Sequence, residues 1–248
     1  MSVLRPFFAQ VGAETYMTLR RGETLLLTVG IPVAFLLFFS TSHVVPTGPG
    51  PAISFYVPGI LALAVMSTAM VSLGIATGFE RGYGVLKRLG STPLGRPRLL
   101  GAKVTTIFFV EVLQAAVLVP VGYGLGWQPG HGGAGAAAGE ALAAAVLATV
   151  AFGGIGLLLA GVLRAEVNLA AANGLYLVLL LLGGMVVPLA KLPGPLAAVG
   201  RALPAAALSD ALHGALGNGL SVPAAAWVTL GAWAVGASAA AMLAFRWE

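Results

Sequence analysis

The sequence predicts an all-α membrane protein with six transmembrane helices and both ends of the chain in the cytosol. Three observations carry this reading. Only 8% of the 248 residues are charged and 58% are hydrophobic, whereas a soluble domain carries roughly 25% charged residues. A soluble fold of this size would lack the charge to cover its surface, and lipid is the solvent that suits it. Six apolar runs approach the roughly 20 residues that a bilayer crossing needs. With those runs alternating across the membrane, every one of the 13 basic residues except Lys191 and Arg201 falls on one side, the bias that orients membrane proteins.

The chain reads as one domain, residues 1–248, with no internal repeat. Residues 1–22 place Leu4, Phe7, Phe8, Val11 and Leu19 near one helical face and Arg5, Gln10, Glu14 and Arg21 largely elsewhere. That is the pattern of an amphipathic helix lying in the membrane plane; a frayed cytosolic tail is the alternative. The order of a signal peptide is absent, since the first apolar run follows Arg20 and Arg21. The spans cover 25–42, 56–79, 104–127, 140–163, 169–189 and 223–245. Pro32 and Pro120 predict kinks in the first and third. Glu140 opens the fourth, where a helix N-terminus favours a carboxylate. Gly153, Gly154, Gly156, Ala160 and Gly161 permit close helix packing there. Arg164 and Glu166 read as a solvated loop pair, and Asn168 and Asn173 as interhelical hydrogen-bonders near the start of the fifth span. The outer connections 43–55 and 128–139 are Pro/Gly-rich and irregular. The third, 190–222, differs. Pro193, Pro195 and Pro204 divide it into two short apolar helices, too short to span, which read as re-entrant or interfacial because backbone at membrane depth must satisfy its own polar groups.

Several chemistries are excluded. There is no cysteine, hence no disulfide, thiol catalysis or cysteine metal site. His43, His131 and His213 lack metal-ligand spacing and read as solvated loop histidines. No Walker A motif occurs, so the chain offers no phosphate cradle. Asp210 is the lone aspartate, which argues against aspartate clusters binding Mg²⁺. No Gly-x-Ser-x-Gly elbow points to a serine hydrolase. The net charge of +5 reflects membrane orientation rather than a nucleic-acid partner. The chain reads as no enzyme and no metal protein.

Two polar groups stand inside the third span. Glu111 lies about 10 Å into it at the α-helical rise, with Gln114 on a similar face. A mid-membrane carboxylate costs roughly 2.5–3.5 kcal/mol. The pair either lines a substrate path or subunit contact, or Glu111 is close enough to the inner surface to be solvated, protonated or paired with a basic loop residue. An ion-coupled transporter or channel using Glu111 is the alternative function.

The segment 80–103 concentrates the charge. It carries Arg81, Lys87, Arg88, Arg96, Arg98 and Lys103, with Val85, Leu86 and Leu89 as apolar contacts. Pro93 predicts the end of a short helix over 80–91, after which 95–98 turns the chain back and 99–103 leads into the third span. Attraction of the basic residues to anionic head groups, worth roughly 1 kcal/mol each, explains the charges but not a helix ended by Thr-Pro. Here Glu80-Arg81, Gly84, Leu86, Leu89, Thr92-Pro93 and the pair Gly101 and Lys103 resemble the permease subunits of ABC-2 type transporters, including daunorubicin-resistance-like exporters. Ala102 is inserted between Gly and Lys, and Gly82 and Gly84 replace stronger helix formers, so a less ideal helix is expected. Pro188, Leu192-Pro193, Pro204 and the helix over 205–216 are similar to that family's outer connection.

The resemblance implies the membrane half of an ATP-driven exporter in the bacterial plasma membrane. The segment after the second span would be a coupling helix. Glu80, Arg81, Leu86, Lys87, Arg88, Leu89, Thr92 and Pro93 would meet a separate nucleotide-binding subunit, present in two copies and holding ATP and Mg²⁺. This chain would carry no cofactor, would pair with a second permease chain, identical or paralogous, and would move an amphipathic drug, lipid or glycan-linked molecule. The second and fifth spans and the outer re-entrant helices would line or gate the path.

Overall fold

A computed structural model describes residues 5–20, 22–42, 51–90, 95–129, 134–217 and 221–245. Among them the chain is helical, with no strand. The helices are α1 (Arg5–Arg20), α2 (Gly22–Ser42), α3 (Ile53–Gly82), α4 (Val85–Gly90), α5 (Arg96–Gly124), α6 (Ala134–Val162), α7 (Ala165–Leu182), α8 (Gly194–Arg201), α9 (Pro204–Leu216) and α10 (Ala224–Ala244). Five of them, α3, α5, α6, α7 and α10, are long and apolar enough to cross a membrane. The count reaches six only when α1 and α2, bent by 67° from each other, are taken together as one broken span.

At the centre is α3, the most buried of the long helices. It packs against α6, α7, α9 and α2, while α6 packs most extensively on α10. Glycines make these approaches possible. A Cβ on Gly156 would stand 2.5 Å from the Met70 carbonyl oxygen of α3, and one on Gly154 would stand 2.7 Å from the Ser238 nitrogen of α10. Residues Ser67–Ser72 of α3, facing Gly156, form one π-helical turn. By contrast α7 and α10 leave most of their apolar surface outward, including Leu177, Val178, Leu181, Val235 and Leu243. Such a surface suits lipid or another membrane chain.

Several boundaries differ from the expected ones, each for a local reason. The stretch 80–91 is not one helix. α3 continues through Gly82, the chain breaks at Gly84 with φ 71°, and α4 follows with six residues. Only a glycine takes that left-handed turn without strain. The chain turns at Gly95 (φ 69°), with Pro97 in the first turn of α5, so 96–103 is already helix and not a lead-in. α6 begins at Ala134, which puts Glu140 inside the helix and exposed, not at its N-terminus. α7 begins at Ala165 with Glu166 in its first turn, not in a loop, and stops at Leu182 before Gly184 (φ 69°). The two short helices of 190–222 are present as α8 and α9, and α9 is buried along most of its length against α3, α6 and α10.

Candidate functional site

The basic end of the bundle holds an ionic hub. Lys103 on α5, 3% exposed, lies between two carboxylates from different elements. Its Nζ donates a hydrogen bond to Glu14 Oε1 of α1 at 2.9 Å. It also stands 2.6 Å from Glu80 Oε2, near the end of α3, as a second ion pair. The next residue, Arg81, reaches across to α6. Its Nη2 donates to the Leu163 carbonyl at 2.6 Å and its Nη1 to the Gly161 carbonyl. These carbonyls belong to the last turn of α6, where helical oxygens lack intrahelical partners and a cation is favoured.

α4 projects from this hub. Leu86 is fully buried, Leu89 is half-buried, and Lys87 and Arg88 are exposed. The eight residues singled out in the sequence thus divide by role. Glu80 and Arg81 tie the segment to α5 and to the end of α6 and Leu86 is buried, whereas Lys87 and Arg88 are exposed. Thr92 and Pro93 lie outside the described residues.

Farther along α5, Gln114 bridges three helices. Its Oε1 accepts from Thr68 Oγ1 of the π-helical turn at 3.2 Å, and its Nε2 donates to the Thr28 carbonyl of α2 at 2.8 Å. Pro32 explains the second bond. The Thr28 carbonyl would ordinarily accept from the N–H of residue 32, and proline has none. Gln114, 1% exposed, supplies the missing donor.

Gln114 and Ala64 stand between two cavities. One, of about 450 Å³, lies among α2, α3, α5 and α7 and is lined by Glu23, Thr28, Ser67, Ser72 and Tyr176, among others. The other, of about 250 Å³, lies toward the opposite end, among α3, α5, α6 and α9, and is mainly apolar. Glu111 lines it at 5% exposure. Its Oε2 is hydrogen-bonded with Thr149 Oγ1 of α6, which also lies 2.7 Å from the Ala145 carbonyl, while its Oε1 has no partner among the described residues. Such a buried orphan oxygen costs roughly 1–3 kcal/mol. Glu111 therefore pairs with no basic residue; its one described partner is a hydroxyl. Trp127, 2% exposed, lines the same cavity, and its Nε1 has no partner among the described residues. It is held there by the end of α5, where Gly126 (φ 88°) lets the Trp127 N–H bond the Gly122 carbonyl at 2.9 Å and the Gly126 N–H bond that of Tyr123 at 3.0 Å. This is the glycine-dependent Schellman ending.

His213 corrects the reading of the histidines as loop residues. It sits within α9 and is largely buried. Its Nε2 is 3.0 Å from the Phe55 carbonyl and its Nδ1 is 2.7 Å from that of Ser209, with its ring 4.5 Å from the ring of Phe55. Burial is the largest influence on its pKa and pushes it below the ordinary imidazole value, against the opposing pull of the two carbonyls. His43 and His131 lie outside the described residues. Asn168 is buried in α7 and donates to the Gly74 carbonyl of α3 at 2.8 Å, the interhelical role its position predicted, whereas Asn173 bonds the Leu169 carbonyl within its own helix. No group of three or more His, Cys, Asp or Glu residues that could hold a metal occurs among the described residues.

Comparison with known proteins gives one result. The family model for the ABC-2 type transporter matches residues 7–216. No curated protein matched. The chain belongs to the ABC-2 type transporter family and is a multi-pass membrane protein of the transport permease kind, not a catalytic domain.

Proposed function

We propose that the protein is the permease subunit of an ATP-driven exporter, coupled through α4 to a separate nucleotide-binding subunit. The observation that supports this best is the build of the basic end. A six-residue helix stands off the bundle, anchored by Leu86 and by the Glu80 and Arg81 contacts, with Lys87 and Arg88 turned outward. The many basic residues of 80–103 support a cytosolic position for that end, and for both termini with it. ATP and Mg²⁺ belong to the partner, two copies of which would act on a pair of permease chains in a bacterial plasma membrane. The outward apolar faces of α2 and α7 suit the second permease chain, with the larger cavity between them and α3 as the first part of an amphipathic substrate's path. The alternative of an ion-coupled transporter or channel using Glu111 has no support in the family match.

The test is reconstitution with a candidate ATPase subunit in lipid nanodiscs. Charge reversal of Lys87 and Arg88 to Glu is expected to abolish permease-dependent stimulation of ATP hydrolysis while the permease still elutes as a folded species. Undiminished stimulation in that variant refutes α4 as the docking element.

A further inference from the structure

We propose that the groove between α5 and α10 is a binding site for one anionic phospholipid of the leaflet at the basic end, with Arg98 on its phosphate. Both helices pack on α6 but scarcely on each other. The gap between them, about 310 Å³, is lined by Pro97, Gly101 and Thr105 of α5, Val150 and Leu157 of α6 and Met242 of α10, among others. α6 and α10 close its floor where they meet at Gly154, whose Cβ would stand 2.7 Å from the Ser238 nitrogen. The outer edge is open, with Pro97 exposed and Met242 50% exposed. From Pro97 to Thr105 the groove follows α5 for about 12 Å at the α-helical rise.

Shape and charge select the occupant. Spread over that length, the volume leaves a mean width of about 5 Å. A helix, about 10–12 Å across with its side chains, does not enter; an alkyl chain lying along α5 does. Arg98 then sets the head group. It is exposed and shares a helical face with Gly101 and Thr105, three and seven residues on. Helical side chains lean toward the N-terminus, so the guanidinium reaches past the apolar lining to head-group level, as long basic side chains do at membrane interfaces. A guanidinium meets a phosphate through two parallel hydrogen bonds. Among the described residues that line the groove none is acidic, so no lining charge repels an anion. A zwitterionic lipid offers the same chains but brings a second cation beside Arg98. The groove shares only α5 with the helices that line the larger cavity. The lipid is a fixed part of the bundle that joins α5 to α10, not cargo, and the site goes beyond the transport reading and stands without it.

The probe is palmitoyl-oleoyl phosphatidylglycerol, set against phosphatidylcholine with the same chains and against glycerophosphate, which has the phosphate without the chains. Each is titrated into the purified permease in a maltoside detergent, and bound lipid is counted by native mass spectrometry. Phosphatidylglycerol is expected to bind about fivefold tighter than phosphatidylcholine, the ratio that one basic residue at a membrane surface supplies, and glycerophosphate is expected not to compete. Arg98→Gln should bring the two lipids to parity. Arg164→Gln, an exposed change at the same end of the bundle but outside the groove, should keep the preference. Thr105→Phe and, independently, Ser238→Leu fill the groove and should weaken both lipids together. Equal affinity for the two lipids in the wild type, a preference that survives in Arg98→Gln, or one lost equally in Arg164→Gln overturns the site. Competition by glycerophosphate overturns the role of the groove. A dimer that dissociates in Thr105→Phe, with no lipid preference in the wild type, gives the groove to a second copy of the chain and overturns the proposal.

Discussion

Replacing Lys103 with Met keeps the length of the side chain and removes its charge, leaving Glu14 and Glu80 to face each other across α5. The magnitude follows from burial. An exposed ion pair is worth roughly 0–1 kcal/mol, and breaking a buried one costs roughly 3–5 kcal/mol because the surviving charge is stranded. Lys103 is 3% exposed, but its partners keep 13% (Glu14) and 30% (Glu80) and can partly rehydrate. The expected loss is therefore intermediate, about 2–4 kcal/mol. For a chain of this size that is a fall in melting temperature of about 5–12 °C, read by thermal unfolding of the detergent-solubilised protein at fixed ionic strength. A double-mutant cycle assigns the loss. Glu14→Gln and Glu80→Gln should each couple to Lys103→Met. Raising the salt should shrink the Glu80 term first, because that carboxylate is the more exposed and the more screened. Melting unchanged within about 1 °C, or additivity within about 0.5 kcal/mol in both cycles, refutes the hub.

Gly156→Ala should lower stability by about 1–3 kcal/mol, since its Cβ would meet the Met70 carbonyl at 2.5 Å and backbone must move. Gly231→Ala, with nothing within 4 Å, should be neutral or gain up to about 1 kcal/mol from helix propensity; the same melting assay separates the two. Gln114→Leu should cost about 1–3 kcal/mol by stranding the Thr28 carbonyl and the Thr68 hydroxyl, and Pro32→Ala, which restores the missing N–H, should recover part of it. His213 has a folded-state pKa below its unfolded value. Its contribution is thus full above the ordinary imidazole range near pH 6.5 and falls as pH drops through that range, because the unfolded chain binds the proton more readily. Wild-type protein should lose more melting temperature than His213→Gln between pH 7.5 and pH 5; parallel curves contradict the assignment.

The spans were legible because lipid makes hydrophobic length alone nearly decisive. Departures came where glycine or proline set the chain direction. The sequence marks Gly84, Gly95, Gly126 and Gly184 as glycines but does not say which take a left-handed φ, so helix ends shifted by several residues. The interhelical role of Asn168 was readable because a buried amide in a span must find a partner. Glu111 was recognised as costly, but its orphaned oxygen depends on which face of α6 Thr149 occupies. His213 was missed because nothing in its own short helix shows that the Phe55 carbonyl and ring, distant in the chain on α3, pack against it. The Lys103 hub was missed for the same reason. Its two acids are contributed by α1 and α3, and nothing in the local pattern of α5 announces them.

One element joins the basic end to both cavities. α5 carries Lys103 in the hub, Glu111 in the smaller cavity and Gln114 at the wall between the two. Glu111 lies about 12 Å and Gln114 about 16 Å farther along the axis than Lys103 at the α-helical rise. Between Gly101 and Pro120 the sequence of α5 contains no glycine and no proline, so this stretch has none of the usual causes of a kink. If the proposed coupling acts on this end, a displacement applied at Lys103 through Glu80 would be carried along the rod. Its far effect falls on Gln114, whose two hydrogen bonds tie α5 to the Thr68 hydroxyl of the π-helical turn and to the Pro32-interrupted ladder of α2. At both, the regular helical bonding is already relaxed. A push from the basic end thus reaches the wall between the cavities at its most yielding supports. On the proposed ATP-driven reading, replacing Ile107 and Phe108 with glycine should uncouple ATP hydrolysis from substrate movement while stimulation of the partner ATPase persists; coupling that survives such an interruption shows that the signal does not travel along α5.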